Sequence, residues 1–228
     1  MTDMFEKLME LPLFQGASRD KLKELVEKIP FHFLKYEVGD VLLGPGEKCT
    51  HIKFVVSGSV ELKTDFSNYR VSLLQSITSP GVIGPEFMFG RKTIYPYTCV
   101  AKEACGILQI KKADYIDILM KDKVFLFNML NYLSRNAQKN TLFVQSHNGG
   151  IAKDVLALVS LMLTTADSED IRLSYRQKDL CAMLGISRLS LKSHLDELLE
   201  LGAITYSAGN ISVLNRKLLL THLGFKEV

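Results

Sequence analysis

The sequence predicts an α+β fold in three successive parts: a β-roll, a long helix, and a C-terminal winged helix-turn-helix. Three observations carry this. Short β-rich runs separated by turn residues fill the stretch from Phe31 to Ile110. The apolar spacing becomes helical from Ala113 to His147. Finally, a helix, a glycine turn, a second helix and a hairpin follow one another between Gln177 and Val213. The domains expected are 1–120, 121–147 and 148–228.

Residues 4–29 read as two short helices, the second opened by Ser18 as a cap and carrying Leu22, Leu25, Val26 and Ile29 at helical spacing. Strands of the roll are read at 31–34, 41–43, 52–56, 60–62, 71–74 and 106–110. The turns carry Gly39-Asp40, Gly44-Pro45-Gly46, Ser57-Gly58, Asp65-Phe66-Ser67-Asn68 and Pro80-Gly81. No helical pattern separates these strands, which argues against a parallel βαβ sheet. In the long helix, Leu126, Leu130, Leu133, Ala137, Asn140, Val144 and His147 alternate spacings of four and three. Such a seam with a polar Asn suits a two-stranded coiled coil, so a homodimer is expected. The competing reading is a helix packed on its own roll, because Phe125, Phe127, Met129 and Phe143 broaden the apolar face.

After Asn148-Gly149-Gly150, which reads as a hinge, come an apolar helix from Ile151 to Met162 and a polar loop. Leu180, Met183 and Leu184 then form the stripe of one helix, Gly185 supplies a positive-φ turn, and Ser187 caps a second helix bearing Leu191, Leu195 and Leu198. This second helix is expected to expose Arg188, Leu189, Ser190, Lys192 and Ser193 near its N-terminus. There Arg can fork onto a guanine edge, Ser can bond bases or phosphate, and Leu can touch a thymine methyl. Residues 201–206 and 211–213 flank Ser207-Ala208-Gly209-Asn210 as a hairpin wing. Double-stranded DNA is the expected partner.

Composition excludes several classes. The 228 residues are 47% hydrophobic and 23% charged, which is globular and not disordered. Val155 to Ala166, the longest strongly apolar uncharged run, is too short for a membrane helix, and the acidic start is unlike a secretory leader, so a cytoplasmic chain is expected. Cys49, Cys99, Cys105 and Cys181 form no C-x-x-C pair and read as buried free thiols, so no metal or iron–sulfur site is expected. From residue 148 onward nine Lys/Arg balance nine Asp/Glu, yet Arg176, Lys178, Arg188 and Lys192 share one short window. No Ser-His-Asp set, P-loop, G-x-G-x-x-G or clustered metal-ligand set stands out, so no enzyme is expected.

Leu11-Pro12-Leu13-Phe14, Gly39-Asp40, the roll segment from Ile52 to Leu62, and Leu180 to Arg188 follow one another along nearly the whole chain. In that order the chain resembles the Crp/Fnr family of bacterial transcription regulators, which includes the cyclic-AMP receptor protein and the fumarate and nitrate reduction regulator. The resemblance implies a cyclic-nucleotide-binding-type roll and a homodimer on a pseudo-palindromic operator. It also implies contact with RNA polymerase, with Arg176 and Gln177 meeting the DNA backbone and Arg188 reading bases or phosphate. Leu189 and Ser193 depart from the family pattern, which often has Glu and Arg there, so the usual half-site is not expected.

Cyclic-nucleotide members of that family hold ribose with a Gly-Glu pair and phosphate with Arg followed by Ser or Thr. The matching stretches here read Ile83-Gly84-Pro85-Glu86-Phe87 and Pro96-Tyr97-Thr98-Cys99, with Pro85 inserted before Glu86 and Tyr97 in place of Arg. A buried phosphate would then need Arg91 or Lys92 to fold inward. Arg135 and Asn136 stand where small hydroxyl residues meet adenine. The expected effector pocket is Glu86, Tyr97, Thr98, Arg135 and Asn136, and three readings stay open for it: a small molecule other than cyclic AMP, no ligand, or haem on an axial residue that no motif marks. Haem is not indicated, since no motif identifies an axial ligand among His32, His51, His147, His194 and His222. The alternative function is a cyclic-nucleotide-type module that regulates a protein partner without binding DNA.

Overall fold

In the computed structural model the described residues are 4–66, 68–145, 154, 156, 158, 159 and 170–222, without the side chains of 139–145 and 220. Chain contacts form two units, Met1–Leu62 with Ile77–Arg135, and Lys63–Ser76 with Asn136–Val228. The hinge at Asn148-Gly149-Gly150 lies outside the described residues, as does most of the helix read after it.

The first unit opens with α1 (Met4–Glu10) and α2 (Arg19–Lys28), and the Ser18 hydroxyl accepts from the Lys21 amide at 3.4 Å as the cap. One sheet orders β1 (His32–Tyr36), β8 (Cys105–Lys111), β3 (His51–Ser57) and β6 (Gly81–Ile83), every pair antiparallel. Facing strands are β2 (Val41–Leu43), β7 (Thr98–Ala101) and the inner part of β4 (Ser59–Asp65). β6 and β7 went unread in the sequence: β6 starts at Gly81, read as part of a turn, and β7 begins directly after Pro96-Tyr97. Phe14 sits at the centre of the core, edge-on to Phe54 at 5.2 Å and Phe125 at 5.3 Å. Such pairs add to the large area each ring buries.

The helical stretch is not continuous. It divides at Asp122 into α3 (Lys112–Lys121) and α4 (Lys123–Gln145). Asp is a poor interior helix residue but a good cap. Here Asp122 is extended, accepts from the Val124 amide at 2.7 Å, and pairs with Lys21 of α2. Phe125 and Met129 of α4 are buried in the roll core, with Tyr132 and Leu133 packed beside them. The side-chain amide of Asn128 donates to the Gln15 carbonyl at 2.7 Å.

The second unit is built on a sheet ordered β10 (Ile204–Ser207), β11 (Asn210–Val213), β9 (Ile171–Tyr175), β5 (Val71–Thr78) and the outer end of β4. β9 falls in the stretch read as a polar loop. Its alternation of Ile171, Leu173 and Tyr175 was the available strand signal. Leu73 of β5 lies opposite Leu173, and Val71 opposite Tyr175. Val71 and Leu73 share a core with Ile171, Leu173, Leu180, Leu195 and Ile211. Helices α5 (Gln177–Leu184), α6 (Arg188–Glu200) and α7 (Arg216–His222) belong to this unit.

Candidate functional site

Two groups of residues carry chemistry, one on each unit. In the second, Gly185 ends α5 at φ +69, a left-handed conformation that a side chain would strain. Ser187 then caps α6, accepting from the Ser190 amide at 3.0 Å. Leu191, Leu195 and Leu198 repeat at helical spacing and are buried, which aims the opposite face outward. Arg188, Leu189, Lys192 and Ser193 are exposed, Leu189 to 81%.

Ser190 differs from expectation. It is half-buried, with its hydroxyl 3.3 Å from His194 Nε2. It sits one turn before buried His194 and so turns towards the core. No acidic residue occupies the first turn of α6, so its free amide groups and cations form one positive end. Arg176, Gln177 and Lys178 are exposed at the start of α5. The wing strands pair Ile204 with Val213 through Ser207 with Asn210, and the Tyr206 hydroxyl donates to Asp196 of α6. A bond from the Arg176 amide to the Arg70 carbonyl at 2.9 Å, and one from the Arg70 amide to Asp179 Oδ2 at 3.4 Å, tie α5 to the β4–β5 hairpin.

The other group lines the roll. Gly84, at φ +52, opens a short 3-10 helix, Pro85–Met88. A Cβ there would lie 2.2 Å from the Tyr97 hydroxyl and 3.0 Å from the rings of Phe87 and Tyr95, so only glycine fits. The three rings meet at 5.6 to 5.8 Å. The Tyr95 hydroxyl donates to Cys49 Sγ at 3.1 Å, whereas the buried Tyr97 hydroxyl has no partner among the described residues. Burial raises both phenols' pKa above the ordinary value, and the field of Glu86 adds to this. Burial pushes the Cys99 thiol up to about 12, making it inert. Glu86 is exposed, yet enough protein surrounds its carboxyl for desolvation to raise its pKa.

Of the expected pocket residues, Glu86 and Tyr97 interact electrostatically, and half-buried Thr98 adjoins Tyr97. Among the described residues, exposed Arg135 makes no ion pair and the Oδ1 of half-buried Asn136 has no hydrogen-bond partner. Arg91 and Lys92 do not fold inward; both are exposed. Sequence reasoning missed the cation that is inside the roll, Lys53, which is only 8% exposed. The only available signal was a charge in the otherwise apolar run Ile52 to Val56. Desolvation lowers its pKa.

On α4, the expected seam residues divide. Leu126, Leu130 and Ala137 are exposed, Leu130 to 47%, and Phe127 beside them is 57% exposed. Leu133 instead leans on the roll core, because the narrow seam and the broad core face overlap on one helix. The side chains of Asn140 and Val144 lie outside the described residues. Among the described residues, no group of three or more His, Cys, Asp or Glu could hold a metal ion, and no helix is long and apolar enough to cross a membrane.

Residues 33–122 match the cyclic nucleotide-binding domain family. The chain is 26% identical over 189 residues to the regulatory protein YeiL of Escherichia coli O157:H7, spanning 82% of each chain. It is 26% identical over 147 residues to the potassium channel SKOR of Arabidopsis thaliana, covering 60% of this chain and 16% of the channel. Among solved structures, the Thermus thermophilus catabolite activator protein superposes with a TM-score of 0.52 at 19% identity, over 94% of this chain and 100% of that one. These likenesses establish an N-terminal roll of the cyclic nucleotide-binding type and a fold shared with a regulator.

Proposed function

We propose that this protein is a homodimeric, sequence-specific DNA-binding regulator of transcription, controlled by a small effector in the roll other than cyclic AMP. The observation that carries this reading is the outward face of α6. A capped helix buries Leu191, Leu195 and Leu198 and leaves Arg188, Leu189, Lys192 and Ser193 bare at its positive end. A protein gains nothing in folding from a leucine left in water beside two cations. Such a face suits a major groove, with Leu189 against a thymine methyl and Arg188 on guanine or phosphate. Together α5, α6 and the β10–β11 hairpin act as a winged helix-turn-helix, with Arg176 and Gln177 on the backbone. The likeness to a regulatory protein over 82% of the chain supports the same reading.

The exposed apolar strip of α4, with Leu126, Phe127 and Leu130, supports self-association. The absence of Arg at Tyr97, with Arg91 and Lys92 outside, argues against cyclic AMP. Control passes along covalent routes, since the chain enters the second unit through the β4–β5 hairpin as well as through α4. RNA polymerase is the implied partner once the protein is on a promoter.

The test is selection of bound sequences from a random duplex library at fixed salt, with and without cyclic AMP. The expected result is an inverted repeat with half-sites about one helical turn apart, unaffected by the nucleotide. Failure to enrich any repeat, together with capture of a protein partner by the roll, would replace this reading with a protein-regulating module.

A further inference from the structure

The roll buries two polar side chains for which no described residue supplies a hydrogen bond, Lys53 on β3 and Tyr97 just before β7. Lys53 lies on β3 between Ile83 of β6 and Gln109 of β8, its Cα partners in the sheet. Its neighbours Ile52 and Phe54 enter the core beneath the helices, so strand alternation turns Lys53 to the opposite face, towards β7. There it comes within electrostatic reach of Cys49 and Cys99, and these two thiols are equally within reach of the Tyr97 hydroxyl. Lys53 makes no hydrogen bond or ion pair with any described residue. Glu47, the carboxylate that acts on it, is already engaged as acceptor for the Gly44 amide at 2.7 Å. The Tyr97 hydroxyl is 2.2 Å from where a Gly84 Cβ would be, and Gly84 directly follows the strand partner of Lys53. A buried hydroxyl donor is costly without a partner, and an ammonium on a side chain as enclosed as Lys53 gains from a counter-charge, since proteins pair such groups.

We infer that the roll binds a small organic anion, a carboxylate or phosphate ester, with the Lys53 ammonium as its counter-charge and the Tyr97 hydroxyl as a second donor. This rests on the effector reading above and supplies its chemistry: the enclosed cation is Lys53 on β3, and Tyr97 precedes β7. Lys53 supplies charge and Tyr97 direction, since an ammonium is a point charge and a phenol a single aimed donor. Glu86, at the exposed mouth, disfavours a second negative charge on that side and favours a ligand with hydroxyl groups there.

The experiment uses the full chain and reads thermal unfolding and calorimetric binding without DNA. The probes are succinate, inorganic phosphate and AMP at constant ionic strength, on the wild type, Lys53→Met, Tyr97→Phe and the exposed control Lys35→Met. At least one probe is expected to raise the wild-type and Lys35→Met midpoints. Lys53→Met should bind that probe at least about tenfold more weakly, the loss expected for one charged hydrogen bond. It should also unfold no earlier than wild type without the probe, because an unmatched charge has been removed. Succinate and phosphate distinguish the carboxylate from the phosphate source. The site is refuted if none of the three probes binds, if all four proteins respond equally, or if Lys53→Met alone loses stability with no change in binding. The DNA selection fails separately: Lys53-dependent binding without an enriched repeat leaves the anion site standing and removes the DNA reading. An enriched repeat with Lys53-independent binding does the reverse.

Discussion

The two units differ in what their cores enclose. The first encloses Lys53 and the ring cluster of Phe87, Tyr95 and Tyr97, while the second buries a mainly aliphatic core with His194 and turns Arg188, Lys192 and Ser193 out to water. An inward polar group has to be matched by a bound partner or tolerated at a cost, whereas an outward one costs little until DNA or protein covers it. This difference underlies the small ligand proposed for the roll and the large partner proposed for α6. Joining them is the β4–β5 hairpin, whose roots belong to the roll and whose tip supplies Val71 and Leu73 to the other core.

The sharpest way to break this comparison is at the hairpin. Leu73→Ala should cost about 2–5 kcal/mol, the usual cost of emptying a fully buried leucine site. Hydrogen exchange should show the loss in 171–213, while β3 and β8 stay protected; equal loss in both would mean that the two cores are one. Next, Leu130→Asp with Phe127→Asp should weaken self-association by about 2–4 kcal/mol, as for central interface residues, when followed by sedentation equilibrium or its light-scattering equivalent. Both residues are exposed, so the roll should stay folded. A variant as associated as wild type moves the interface off α4.

Arg188→Ala should weaken the selected DNA site by about 1–3 kcal/mol while leaving association intact, and unchanged sequence preference would remove Arg188 from reading. The smallest effect concerns Glu86. Its folded pKa is raised above 4.5, so the folded state holds the proton more tightly than the unfolded state does. That contribution is present below the ordinary carboxylate pKa and is lost as pH rises through the raised value. Denaturation of Glu86→Gln should therefore show a flatter fall in stability just above pH 4.5. An unchanged slope would assign the effect to another carboxylate.

What could be read in advance was local. Ser18 and Ser187 announced helix starts because a cap acts within three residues, and Gly185 announced a turn because its φ is its own. The outward face of α6 followed from leucine spacing alone, except at Ser190, where proximity to His194 decided the matter. Asp122 could have been recognised as a cap but was masked by apolar spacing running through it.

The sequence by itself determined the order of the parts, the roll's many short strands and the periodicity of the helices, because these depend on neighbours a few residues apart. Only the tertiary structure decided that Leu73 belongs with Leu173, that Leu133 serves the roll and not a seam, and that Lys53 is enclosed while Arg91 and Lys92 are not. Those outcomes depend on which distant strand lies opposite and which face it covers. A lysine carries the same charge on either face; burial, set by residues far along the chain, decides whether that charge needs a ligand.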